Sequence, residues 1–176
     1  MSRIYLRALE VDDYKTTINW RNDDEIWKMV GGPKYFVSSE YERIWISKAI
    51  IKEQEIRLGI CLKDNDLLIG LISLIKIDLI NRNGEISFMI GNKYYWNMGY
   101  GAEALCLMLD YSFNQRGMER ISCLILENNK ASQKMVSKCG FSKEAVLKSS
   151  VFKNGVFHDQ IIKSILREEY LKTRSI

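Results

Sequence analysis

Apolar and polar residues alternate at the start of the chain, from Ile4 to Glu10, as they do in a strand with one buried face. The next stretch, residues 12–30, changes period. Acidic residues open it and apolar ones recur at helical spacing, which predicts one or two short helices. Gly31, Gly32 and Pro33 break that pattern, and Ser38 or Ser39 then caps a further helix carrying Tyr41, Ile44, Trp45 and Ile51. Two strongly apolar runs, 56–63 and 67–77, flank a polar turn at Asp64, Asn65 and Asp66 and read as a hairpin. A second turn, Asn81 to Gly84, leads to a third strand of the meander, Glu85 to Ile90. A helix is expected from about Gly101 to Gln115, with Leu105, Met108, Leu109 and Phe113 on one stripe and Gly117 as its stop. Residues 120–127 read as a buried strand, and 128–139 as a helix capped by Asn128 or Asn129 and stopped at Cys139-Gly140-Phe141. The chain closes on two strands, 143–152 and 156–166, joined through Asn154-Gly155, a strong tight-hairpin signal. The predicted order is β-α-α-β-β-β-α-β-α-β-β, about seven strands in a mixed α/β domain.

Composition narrows this reading. The 176 residues are 47 % hydrophobic and 27 % charged, the range of an ordinary globular domain, and a single proline with no Pro/Gly/Ser-rich stretch offers no linker. One domain over 1–176 is expected. Lysine and arginine number 26 against 22 acids, and the first fifty residues are balanced, so the excess of +4 falls in the remainder. Without a clustered basic stripe, neither a nucleic-acid nor a membrane partner is expected. Cys61, Cys106, Cys123 and Cys139 show no C-x-x-C spacing and have only His158 to join them, so no metal site is expected. Each lies in or beside an apolar run, as unpaired core thiols do, and no signal peptide is apparent; both point to a reducing cytoplasm.

The chemistry concentrates where the strand Glu85–Ile90 runs through a glycine-bearing loop into a helix. Unsatisfied N–H groups and the helix dipole favour phosphate at a helix start, and Gly99 and Gly101 let backbone approach a pyrophosphate closely. A tight turn alone would use the same glycines. The lack of G-x-x-x-x-G-K-[ST] disfavours a P-loop, and the lack of a third glycine and of a ribose-binding acid disfavours a dinucleotide fingerprint.

Several segments together carry a resemblance. They are Tyr95-Trp96, Gly99-Tyr100-Gly101 and Glu103-Ala104-Leu105, then Asn129-Lys130-Ala131-Ser132 and Lys138-Cys139-Gly140-Phe141, between the ends LRALEVDDY and NGVFHDQIIKSILREEY. The chain resembles the GNAT family of N-acetyltransferases over essentially its whole length. Within that family it is similar to the ribosomal-protein N-terminal and spermidine acetyltransferases. The resemblance implies a twisted, mainly antiparallel sheet flanked by helices and opened between the fourth and fifth strands to admit acetyl-CoA. It implies direct acetyl transfer to a primary amine, with a protein N-terminus, a polyamine, an amino sugar or an aminoglycoside as the acceptor; a homodimer is compatible with it. The rival readings are an acetyl-CoA-binding regulatory module without turnover and an RNA-associated domain.

The same resemblance implies the site residues. Backbone donors from Met98 through Gly99, Tyr100 and Gly101 to Ala102 would hold the pyrophosphate, Phe88, Met89 and Ile90 the pantetheine arm, and Asn129 and Ser132 the pantetheine and sulfur. A freed N–H near Met89 or Ile90 would polarise the thioester carbonyl. Glu85 is the candidate to draw the amine proton, with a solvated strand-start acid as its alternative. Trp20, Asp24, Trp27 and Glu85 are the acceptor-side candidates, together with Tyr35 and Phe36, although an acidic first turn alone accounts for Asp24. Two positions depart from the family pattern: Trp96 stands where glutamine or arginine is usual, and Val136 where many members carry an acidic tyrosine. Asn129 as a plain cap and Ser132 as a small first-turn residue are the alternatives for that pair. His158 beside Asp159 has no nucleophile motif to complete a triad.

Overall fold

The computed structural model describes residues 2–32, 34–52 and 54–174; the expected break at Pro33 lies outside the described residues. Seven strands form one sheet: β1 (Ile4–Ala8), β2 (Ile56–Leu62), β3 (Leu68–Asp78), β4 (Asn83–Ile90), β5 (Arg120–Leu126), β6 (Ser142–Lys153) and β7 (Val156–Leu166), in the order β1-β2-β3-β4-β5-β7-β6. Every pairing is antiparallel except β4 with β5. The helices are α1 (Tyr14–Arg21), α2 (Asp24–Met29), α3 (Ser39–Ile50), α4 (Tyr100–Asp110), α5 (Lys130–Lys138) and α6 (Arg167–Arg174).

The predicted strands and their order hold. Among the described residues three helices lie between β1 and β2, because the segment expected to hold one or two short helices holds two, one more than the predicted order counts. Asp23 accepts from the Glu25 and Ile26 amides to start α2, and Ser38 accepts from Tyr41 to start α3. A terminal helix, α6, follows β7 and buries Tyr170 against Phe113, ring centroids 4.9 Å apart. Its eight residues carry only two apolar side chains, Tyr170 and Leu171, too few for a period. The helix expected to reach Gln115 does so by passing from α4 into a π turn, Tyr111–Gln115.

Strand alternation divides the core between the two faces of the sheet. On one face Ile60, Ile72, Leu74 and Ile86 pack with Ala104, Leu105, Met108 and Val136 of α4 and α5. On the other, Cys61, Leu68 and Leu71 pack with Trp20, Ile26 and Ile46 of α1 to α3. Gly91, just past β4, gives Trp20 its seat, since a Cβ there would lie 2.0 Å from the indole ring. The sheet is therefore covered on both sides, and what remains open is a seam within it.

Candidate active site

That seam begins where β4 and β5 part. The parallel pairing comprises three rungs, Asn83 with Arg120, Gly84 with Ile121 and Glu85 with Ser122, and ends there. From Ile86 onward the edge of β4 that faces β5 has no strand partner, so its backbone donors and acceptors turn to the gap. A cleft of about 660 Å³ fills the fork, walled by β4, β5, α5, the start of α4 and the end of α2.

The loop between β4 and α4 is shaped by left-handed residues at Asn97 (φ 59°) and Gly99 (φ 88°). Gly99 is the N-cap of α4, and its carbonyl accepts from both Ala102 (3.0 Å) and Glu103 (3.1 Å). The Ala102 amide, expected among the anion donors, is thus engaged within the helix start. Tyr100 and Gly101 retain N–H groups without a partner among the described residues. A Cβ on Gly101 would point into the cleft and meet Met135 Sδ at 3.0 Å. Trp96 explains its own departure from the family pattern: its indole N–H donates to the Ile90 carbonyl at 2.7 Å and ties the loop to the end of β4. Arg3, which sequence reasoning passed over, donates to the Met98 carbonyl at 2.7 Å, pairs with Glu103 and lies over the Tyr100 ring at 4.1 Å. Burial works to raise the Glu103 carboxyl, but Arg3 outweighs it and holds it below the usual range.

Phe88, Met89, Ile90, Gly99, Tyr100, Gly101, Ala102, Asn129 and Ser132 all line the cleft. Met98 does not; it is 54 % exposed. Asn129 caps α5 through the Ser132 amide (3.1 Å) and donates its Nδ2 to the Met29 carbonyl (3.1 Å), so its side chain is committed on both sides. Val136 is fully buried in the core beneath α5. Cys123, at the apex of the fork, is pushed up to about 12 by burial, the nearby Glu85 charge adding to the shift against Lys163; it stays a thiol at neutral pH.

Glu85 sits on the last paired rung and projects to the face covered by α1 to α3, the side of Ser87 and Met89. Lys76 Nζ holds its carboxylate at 2.8 Å. A bulge in β3, with Lys76 at φ 50°, brings that ammonium over the strand. Ser87, two residues on, lines the cleft, while Glu85 stands just outside its lining.

The other acceptor-side candidates are dispersed. Trp20 is a core residue, 6 % exposed. Asp24 points to solvent and pairs with Lys34. Trp27 is half-buried, its indole donating to the Arg21 carbonyl beside Lys153. Tyr35 and Phe36 are exposed away from the cleft. The side chains of α2 and its C-cap that do reach the cleft are Ile26, Met29 and Val30, whose helical spacing was legible but whose facing was not. Lys153, buried without a carboxylate partner among the described residues, donates to the Trp27 and Val30 carbonyls at the end of α2, and burial lowers its pKa. Asp159 accepts from the Ser149 amide at the bulge of β6, a structural bond rather than part of a triad with His158.

Residues 3–142 match the family model described as an acetyltransferase (GNAT) domain. The spermidine N(1)-acetyltransferase of Vibrio cholerae is 29 % identical over 170 residues, covering 97 % of this chain and 96 % of that protein. A probable N-acetyltransferase of Bacillus subtilis, YjcK, is 29 % identical over 175 residues, 94 % of this chain and 95 % of its own. A crystal structure of spermidine N-acetyltransferase from Vibrio cholerae in complex with CoA and spermine superposes with a TM-score of 0.90 at 28 % identity, covering 97 % of this chain and 99 % of that one. The chain belongs to the GNAT family, and it is an N-acetyltransferase that uses acetyl-CoA.

Proposed function

We propose that the acetyl group passes directly from acetyl-CoA to a primary amine at the apex of the fork, with Glu85 as the base. The observation that carries this reading is the end of β4–β5 pairing at Glu85 and Ser122, which sets a carboxylate beside the point where the cleft opens. The unpaired β4 edge and the Tyr100 and Gly101 amides suit the pantetheine and pyrophosphate, and the missing Cβ of Gly101 leaves room at the mouth. Ser132 faces the same cleft and is the hydroxyl available to the sulfur in place of a tyrosine at Val136. A protonated amine is no nucleophile, so Glu85 takes its proton through water once the amine displaces Lys76 from the carboxylate. Cys123 takes no covalent part because it remains protonated.

Glu85→Gln keeps the volume and removes the base. It should lower the rate of amine-dependent thiol release by about 10²-fold or more while leaving acetyl-CoA affinity intact. An unchanged rate across pH would remove Glu85 from the reaction.

The acceptor belongs to the set of protein N-termini and small amines. We further propose a homodimer through the β6–β7 hairpin, where β6 is an edge strand and Phe152 of β6 and Val156 and Phe157 of β7 are exposed. A cytoplasmic setting belongs to the same proposal, since the described residues contain no disulfide; recovery in a secreted fraction would reject it.

A further inference from the structure

The charges around the acceptor side narrow the acceptor, on the proposed reading that this cleft performs amine acetylation. Among the described residues no aspartate or glutamate lines the cleft, and its only charged side chains are Lys134 and Lys138 of α5, on the face away from α1 to α3. The wall that α2 and β5 present is apolar: Ile26, Met29 and Val30 across from Leu124 and Leu126.

Of the acids near this wall, Asp23, Asp24, Glu25 and Glu85 already have partners, and Glu127, which follows Leu126, is exposed at the rim and does not line the cleft. Asp23 and Glu25 share Lys93 at 2.8 and 3.0 Å, Asp24 pairs with Lys34, and Glu85 with Lys76. The Lys93 ammonium holds the Asp23 carboxyl below the usual range. Glu144, on β6, is bonded by both guanidinium nitrogens of Arg120 and by Ser164.

The wall is also fixed in place. Asn129 Nδ2 holds the Met29 carbonyl and Lys153 holds those of Trp27 and Val30, tying the end of α2 to α5 and β6 across the fork.

A polyamine carries a proton on nearly every nitrogen at neutral pH, because alkylammonium groups titrate near lysine. Only the nitrogen that reacts meets a base here. A further ammonium held inside the cleft would meet an apolar wall without a counter-charge, or would have to break an ion pair the chain makes with itself, and an unpaired charge is costly to bury. An apolar body meets no such penalty and gains contact with Ile26, Met29 and Leu124.

We propose that the acceptor of this enzyme is a primary amine carried on an apolar body, with no second cationic group within reach of the wall. The chemistry covers an alkylamine and equally the α-amine of a peptide that begins with apolar residues. Polyamines are discriminated against by the same wall.

Three probes of similar backbone test this: n-hexylamine, 1,6-diaminohexane and spermidine, each assayed for thiol release with saturating acetyl-CoA, with acetyl-CoA binding measured by calorimetry. Hexylamine and the diamine differ by one ammonium at the far end. The expected result is a kcat/KM for hexylamine at least about tenfold above those for the other two. Met29→Glu, which puts a carboxylate on the wall, should shift the ratio toward spermidine by a comparable factor. Equal or higher kcat/KM for spermidine in the unaltered enzyme overturns the proposal and leaves the transferase reading standing. Acetyl-CoA binding with no thiol release from any of the three overturns both. If Met29→Glu folds and binds acetyl-CoA but leaves the ratio unmoved, the wall is not where the amine is read.

Discussion

Single residues in this protein often hold two elements at once, and Asn129 shows it best. Its Oδ1 caps α5 and its Nδ2 holds the Met29 carbonyl, so one amide both starts a helix that walls one side of the cleft and anchors the turn that walls the other. Asn129→Ala removes both bonds. The lost cap should cost about 1 kcal/mol, a fall in Tm of about 2–4 °C for a domain of this size. The KM for the amine should also rise, because the Met29 turn loosens, while a cap alone would leave it unmoved. Thermal unfolding together with amine saturation curves checks both halves. The sequence named Asn129 for two roles, cap and ligand contact, and the structure shows the cap together with a tether that no local pattern announces. Trp20 is the opposite case. An aromatic beside an acidic run reads as a surface for cations, yet its ring lies on Gly91, seventy-one residues away in sequence, and only the fold brings the two together.

Elements were legible where their own residues define them. Asn154 and Gly155 adopt φ of 50° and 79°, as a tight hairpin with a type I′ turn requires, and Asn129, Ser38 and Gly99 stand at the helix starts where capping chemistry puts them. The terminal α6 was not, because it is too short to show a period and is stabilised by packing Tyr170 on Phe113; α2 was legible as one of one or two short helices, but its facing, with Ile26 in the second core, was not. The parting of β4 from β5 was expected from the family resemblance alone; alternation along either strand is the same before and after Ser122. The β6–β7 hairpin carries its own consequence. β6 is twelve residues long and mostly exposed, and the Phe152 and Phe157 rings stand 5.0 Å apart on the surface. Sedimentation should show a dimer that Phe157→Glu dissociates to monomers, and a monomeric parent protein would reject that interface.

At the scale of the whole molecule, the sheet serves as a partition. One face bears α4 and α5, the loop amides and the cleft lysines; the other bears α1 to α3, Glu85 and the apolar wall, and the fork is the opening between them. Such an arrangement lets the two substrates approach from opposite sides and meet at one point, with no need for the protein to carry the acetyl group in between. Direct transfer is tested by initial rates of thiol release with acetyl-CoA and hexylamine varied together, with intact-mass measurement of the protein after mixing with acetyl-CoA alone. Direct transfer gives double-reciprocal lines that intersect, release that depends on amine, and no protein bearing an acetyl group. Parallel lines with an acetylated protein, at Cys123 or elsewhere, would contradict it.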